Sequence, residues 1–219
     1  MATAESAYLG NRAIRNASAL DSPRHSAVVR VTHWINTLSF FGLLVSGVAI
    51  LLAHPRFYWG ETGGLGTPYV LALPLPYMKG GPSGWGRNLH FLTAWICVAN
   101  GVIYAASGMI SRHFRRAFLT ANDSYHTLQR LTYMAIVFGL LPFLIWTGFA
   151  MSPAITSLAP PVVNLLGGQQ SARTLHFFAA IAIILFVFGH IVMVYASGFR
   201  KHLRAMIVGT LRPERNAHE

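Results

Sequence analysis

Two histidines, His176 and His190, lie in one of the most apolar stretches of the chain and are 14 residues apart. An α-helix has about 3.6 residues per turn and rises about 1.5 Å per residue, so this spacing is close to four turns and roughly 21 Å. Both imidazoles therefore leave such a helix on nearly the same face. Two more histidines share the setting. His33 follows Arg30 by three residues at the start of one apolar run, and His90 follows Arg87 by three at the start of another. Ionisable groups inside membrane segments are costly and usually functional. The chemistry suggested is axial ligation of iron in b-type haem, where two imidazoles fill both axial positions, leave none for O₂ or substrate, and suit the centre to electron transfer.

The elements that must position these rings are four apolar runs, approximately Val28 to Ala53, Leu89 to Ser111, Leu131 to Met151 and Leu175 to Ser197. Each meets the requirement of about 20 residues for a spanning helix. The 219 residues are 53% hydrophobic and only 11% charged, far below the roughly one quarter charged residues of soluble domains. Composition thus predicts an all-α integral membrane four-helix bundle. The net charge of +11 would raise the question of nucleic acid in a soluble protein, but its distribution answers differently. With both termini cytoplasmic, 13 of the 17 Lys and Arg residues fall on the inner side and Arg56, Lys79, Arg87 and Arg173 outside. This is the positive-inside pattern, and it predicts contact with membrane lipid and no nucleic acid.

Depth estimated from the flanking arginines pairs the histidines. His90 and His176 should lie about 4 to 5 Å inside the outer boundary, His190 about 21 Å further in, and His33 at a similar depth from the inner side. Two levels result, His90 with His176 outside and His33 with His190 inside, as two stacked b haems need. Gly47, Gly101 and Gly108 fall near the ligand faces, where a missing side chain lets a macrocycle approach. By depth, Arg30, Arg87 and Arg173 are placed to meet haem propionates. Asn36, one turn after His33, and His126 and Gln129, before the third span, are candidates for a quinone site on the inner side.

Residues 1–27 read as a cytoplasmic arm, 28–200 as the four-helix diheme domain and 201–219 as a cytoplasmic tail that starts as a surface helix. The first run is longer than a signal h-region and lacks a small-x-small cleavage site, so it reads as a retained helix. Between the first two spans, an external loop over 54–86 carries five prolines, eight glycines and several large aromatics. This composition predicts an ordered external cap or docking surface. Cys97 is the only cysteine, which leaves no disulfide framework, no iron–sulfur site and no CxxCH for covalent haem.

The pattern Arg30-Val-Thr-His33-Trp34 opening the first span, His90 opening the second, and His176 with His190 in the fourth resembles the bacterial cytochrome b561 superfamily. That group includes the b-type cytochrome subunits of nickel–iron hydrogenase, of formate dehydrogenase and of thiosulfate-reductase-like molybdoenzymes. The resemblance implies a multi-pass protein of the bacterial inner membrane carrying two haem b. It would pass electrons between the quinone pool and a periplasmic redox partner, a molybdopterin oxidoreductase or a hydrogenase-like protein. Within the same resemblance, a stand-alone superoxide:quinone oxidoreductase is the alternative. A histidine-based metal or proton transporter is the rival from another class. Against it, all six acids lie outside the apolar runs, where a transport path would want them.

Overall fold

The computed structural model describes residues 26–64, 66–75, 83–110 and 131–209. The arm before residue 26, His126, Gln129 and the tail beyond 209 lie outside the described residues. Four helices are long and apolar enough to cross a membrane: Ala27–Ala53, Gly84–Ile110, Leu131–Ala150 and Gln169–Ala196. The chain is an all-α membrane bundle.

Helix α1, Ala27–Ala53, starts where the Ser26 hydroxyl accepts the Val29 N–H at 3.3 Å. This cap satisfies one of the amides that any helix start leaves open. The buried residues of α1 are all small: Thr32, Ser39, Ser46, Ala49 and Ala53. Four of them recur every seventh position. Helix α2, Ser83–Ile110, answers with Gly86, Thr93 and Asn100 at the same interval. Gly86 faces Ala49, Thr93 lies against Gly42, and Asn100 donates to the Thr32 carbonyl at 2.8 Å. The two helices are therefore antiparallel neighbours. A heptad keeps one face turned towards its partner, and small side chains let backbones close in where lipid offers no hydrophobic drive between helices. Large apolar side chains such as Leu38, Phe41, Leu92 and Val102 point outward.

The third span, expected as a plain spanning helix, contains a π-helical stretch at Ala135–Leu140 in which the Leu141 N–H donates to the Ile136 carbonyl. Helix α3, Leu141–Ala150, continues from it with Pro142 in its first turn. Proline brings no N–H to the preceding turn, and the wider i→i+5 spacing accommodates the gap. Two short helices follow, α4 at Pro153–Leu158 and α5 at Pro161–Asn164. Helix α6, Gln169–Ala196, packs along the third span. At Gly198 (φ +105°) the chain turns into α7, Phe199–Ile207. The end of the bundle carrying residues 54–75 is termed the loop end, and the end carrying α7 the tail end.

Helices α2 and α6 begin about six residues before the apolar runs do, at Ser83 and Gln169. For α6 the cause is remote in sequence. The Gly60 carbonyl accepts the Gln170 and Ser171 N–H groups at 3.0 and 3.3 Å, and the Glu61 carboxylate accepts the Gln169 N–H at 3.4 Å. The segment at Gly60 and Glu61 thus caps the helix start, and its acid suits the positive end of the helix dipole. Ser171 Oγ returns a bond from the Gly60 N–H at 2.8 Å, and Thr174 Oγ1 donates to the Tyr58 carbonyl at 2.7 Å. Phe57 and Tyr58 are buried, with Phe57 4.4 Å from the Phe177 ring. The loop also closes on itself as a two-stranded antiparallel ribbon, β1 Arg56–Phe57 with β2 Leu71–Ala72.

Gly168 makes this seam possible. Its φ is +109°, and a Cβ there would stand 2.6 Å from the Gly60 carbonyl. Gly168→Ala is expected to cost about 1–3 kcal/mol of stability. It should lower the thermal midpoint and speed amide exchange in the 57–61 segment.

Candidate functional site

His90 on α2 and His176 on α6 come together near the loop end, their ring centroids 6.2 Å apart and their planes at 67°. Two metal–imidazole bonds of about 2 Å laid end to end, with half a ring beyond each, span about 6 Å between centroids. The separation fits one metal held between the two rings. The supporting shell says which nitrogen is available. Ser46 Oγ gives its single proton to backbone, at 2.6 Å from the Gly42 carbonyl, so toward His90 Nδ1 at 3.0 Å it can only accept. On the other side, His176 Nδ1 faces the Leu144 carbonyl at 3.1 Å and the Thr147 hydroxyl at 2.9 Å. A carbonyl cannot donate, so His176 Nδ1 carries the proton. Both rings are thereby set as Nδ1–H tautomers, and Nε2 keeps its lone pair for a metal.

Two glycines flank these rings. A Cβ at Gly47 would meet His90 Cε1 at 3.8 Å, and one at Gly148 would meet His176 Cε1 at 3.6 Å. The missing side chains leave room beside the ring edge next to Nε2, where a flat macrocycle needs it. Gly47 is among the glycines singled out by spacing. A Cβ at Gly101 would meet nothing within 4 Å, and Gly108 is buried.

His33 and His190 lie at the tail end, near the start of α1 and the end of α6, both half-buried. His33 meets Trp34 edge-on at 5.8 Å. His190 Nδ1 lies 2.9 Å from the Tyr133 hydroxyl, and Phe186, one turn earlier, stacks on its ring at 6.1 Å and 22°. The third span therefore supplies an oxygen to each histidine of α6, Thr147 to His176 and Tyr133 to His190. These two residues are also 14 positions apart, a match that was legible beside the histidine spacing.

The arginines take partners within the chain. Arg173 donates to the His54 carbonyl and stands 5.1 Å over the Phe57 ring, holding the 54–57 segment down. Arg30 Nη1 donates to the Ile207 carbonyl at 2.8 Å. Arg87 acts on His54, whose imidazole is held below its ordinary pKa by partial burial and by the Arg173 and Arg87 guanidinium groups. Asn36 Oδ1 accepts from Asn100 Nδ2 at 2.7 Å. Asn100 is buried, and its own Oδ1 has no protein partner. It was missed in the sequence because it stands in an apolar run without a charged or histidine neighbour, although the Gly86–Thr93–Asn100 heptad marks it. A cavity of about 430 Å³ at the loop end, lined by Glu61, Thr156, Ser157 and Gln169 among others, includes none of the four histidines.

Imidazoles paired across helices, with Nδ1 protons committed to protein oxygens and glycines at the ring edges, suit a planar iron cofactor. Together with the four spans, they define a b-type cytochrome of the electron-transfer kind, embedded in the membrane. Residues 24–209 match the family model described as prokaryotic cytochrome b561. The chain belongs to that family, and it is a multi-pass protein of the bacterial inner membrane. It is similar to a putative protein-methionine-sulfoxide reductase subunit, YedZ1, of Azospira oryzae, with 25% identity over 191 residues that cover 78% of this chain and 89% of the relative. No solved structure matches it.

Proposed function

We propose that the chain binds two b haems, one between His90 and His176 at the loop end and one between His33 and His190 at the tail end. On this reading it carries electrons across the membrane between quinone and a periplasmic redox enzyme. The observation that carries this reading is the 6.2 Å separation of the His90 and His176 rings with both Nδ1 protons committed elsewhere. A haem with two axial imidazoles supplies one-electron transfer with no open coordination position. The protein's part is to fix tautomer and ring orientation through Ser46, Thr147 and Leu144 at one level and Tyr133 at the other, and to keep water out with apolar neighbours.

The loop end faces the periplasm, by the distribution of arginines. The partner docks there and is an oxidoreductase of the molybdopterin class. The name of the Azospira relative favours a reductase, so electrons run outward from quinol. If the partner reduces methionine sulfoxide, two electrons and two protons convert each sulfoxide to thioether and water. Quinol is oxidised at the tail end beside Asn36, with His126 and Gln129 as further candidates. Arg30, Arg87 and Arg173 remain candidates for propionate contacts by their depth in the sequence.

The test uses the full chain in nanodiscs. A short-chain quinol should reduce the haems without any partner, and the chain alone should show no catalytic turnover with superoxide. Quinone-dependent superoxide consumption by the isolated chain would instead establish the stand-alone oxidoreductase. A metal transporter is disfavoured by the donor set, since no group of three or more His, Cys, Asp or Glu side chains among the described residues could hold a metal ion.

Tyr133→Phe removes the oxygen beside His190 Nδ1 and nothing at the loop end. It is expected to shift the midpoint potential of one haem and leave the other within error, as read by redox titration.

A further inference from the structure

Helix α7, Phe199–Ile207, is short, basic and held in an unusual way. On a wheel of about 100° per residue its side chains fall into three sectors. His202, Ala205 and Met206 turn toward the protein, with Ala205 only 2% exposed. Phe199, Leu203 and Ile207 form the second sector, of which Phe199 and Ile207 are exposed at 47% and 58%. Arg200, Lys201 and Arg204 make the third, all exposed. An apolar strip left uncovered by the protein and bordered by cations is the pattern of a helix lying in the membrane interface. Glu61, at the opposite end of the bundle, is the one acid among the described residues.

The end of α7 is tied to the turn that bears His33. Arg30 Nη1 donates to the Ile207 carbonyl at 2.8 Å and Trp34 Nε1 to the Met206 carbonyl at 3.2 Å. These are terminal carbonyls that the helix itself leaves open, and a cation is the favoured cap there. Gly209 (φ +93°) packs so closely that a Cβ would stand 3.0 Å from the Arg30 guanidinium. Arg30 and Trp34 lie three residues before and one after His33.

We propose that α7 is a binding site for anionic phospholipid headgroups, and that Arg30 and Trp34 latch it to the His33 turn, so that lipid bound at the surface steadies that turn. Arg200, Lys201 and Arg204 meet phosphate oxygens, Arg by paired N–H bonds, while Phe199, Leu203 and Ile207 enter the acyl boundary. The site does not depend on the haem assignment.

The experiment compares the full chain in nanodiscs of phosphatidylcholine alone and with phosphatidylglycerol added. Phosphatidylglycerol should raise the thermal midpoint of the wild type and slow amide exchange over residues 27–37, with both effects shrinking as salt rises. The triple variant Arg200→Gln, Lys201→Gln, Arg204→Gln changes only exposed side chains and should fold. It should retain about tenfold less phosphatidylglycerol through purification and lose both effects. Trp34→Phe should keep the lipid but lose the protection over 27–37. Equal responses to the two lipid compositions, or a triple variant that responds like the wild type, would overturn the site. Unchanged protection in Trp34→Phe would overturn the latch.

Discussion

His176→Ala is expected to halve the haem content of the purified chain, from two haems to one, and to leave a low-spin spectrum from the tail-end site. His176 is held from two sides, by the Thr147 hydroxyl and the Leu144 carbonyl on the third span and by the edge of His90 across the site. Alanine removes the ligand and leaves those groups in place, so the loss should be local. The control against misfolding is His176→Gly, in which added imidazole can enter the space beside Gly148 and restore the second haem. A chain that loses both haems on His176→Ala, is unrescued by imidazole and keeps its helical content would mean that the histidines do not pair by level. Loss of neither haem would remove His176 from the ligand set.

The second large effect belongs to groups that never touch the iron. In the double variant Ser46→Ala, Thr147→Val, His90 loses its hydroxyl acceptor and His176 keeps only the Leu144 carbonyl. Outer-shell partners of metal-bound histidine are worth roughly 10–100-fold in metal affinity. The sign on potential follows from electron density. An Nδ1–H that donates makes the opposite nitrogen a stronger donor, which favours ferric over ferrous iron, so removing the acceptors should raise the potential. A tenfold change in relative affinity of the two oxidation states is about 59 mV for one electron. Potentiometry should therefore show one haem moving upward by tens of millivolts while the tail-end haem stays. An unchanged potential at both sites, with full haem content, would show that the two hydroxyls serve packing alone.

How much of this could be read before the structure differs from element to element. The four spans follow from apolar runs alone, because lipid demands length and hydrophobicity of every crossing segment. Helix rise and the flanking arginines give an expected level for each histidine, and the His90 and His176 rings lie 6.2 Å apart. The early start of α6 does not follow, since its caps, Gly60 and Glu61, are more than 100 residues away in sequence. The π-helical stretch before Pro142 is a local response whose form, a wider turn instead of a kink, depends on neighbours. Asn100 and the hydroxyls of Ser46 and Thr147 escaped for a common reason. Single small polar residues carry little hydropathy signal, and their meaning lies in the partner across the helix interface. The sevenfold series Thr32, Ser39, Ser46, Ala53 shows that the information was present as spacing.

The arginines give the most instructive difference. Depth alone placed Arg30 and Arg173 where a propionate would be. Depth cannot register that backbone carbonyls at helix ends compete for the same guanidinium groups. Arg30 binds the Ile207 carbonyl and Arg173 the His54 carbonyl, so each fastens a segment of chain to the bundle as well as lying near a candidate site.

The most direct test of two paired bis-histidine sites is the visible spectrum of the purified chain, air-oxidised and dithionite-reduced, with haem quantified per polypeptide. The account predicts two b-type haems per chain with low-spin reduced bands. A colourless protein from cells with ample haem, or one that binds a single haem at saturation, would contradict it.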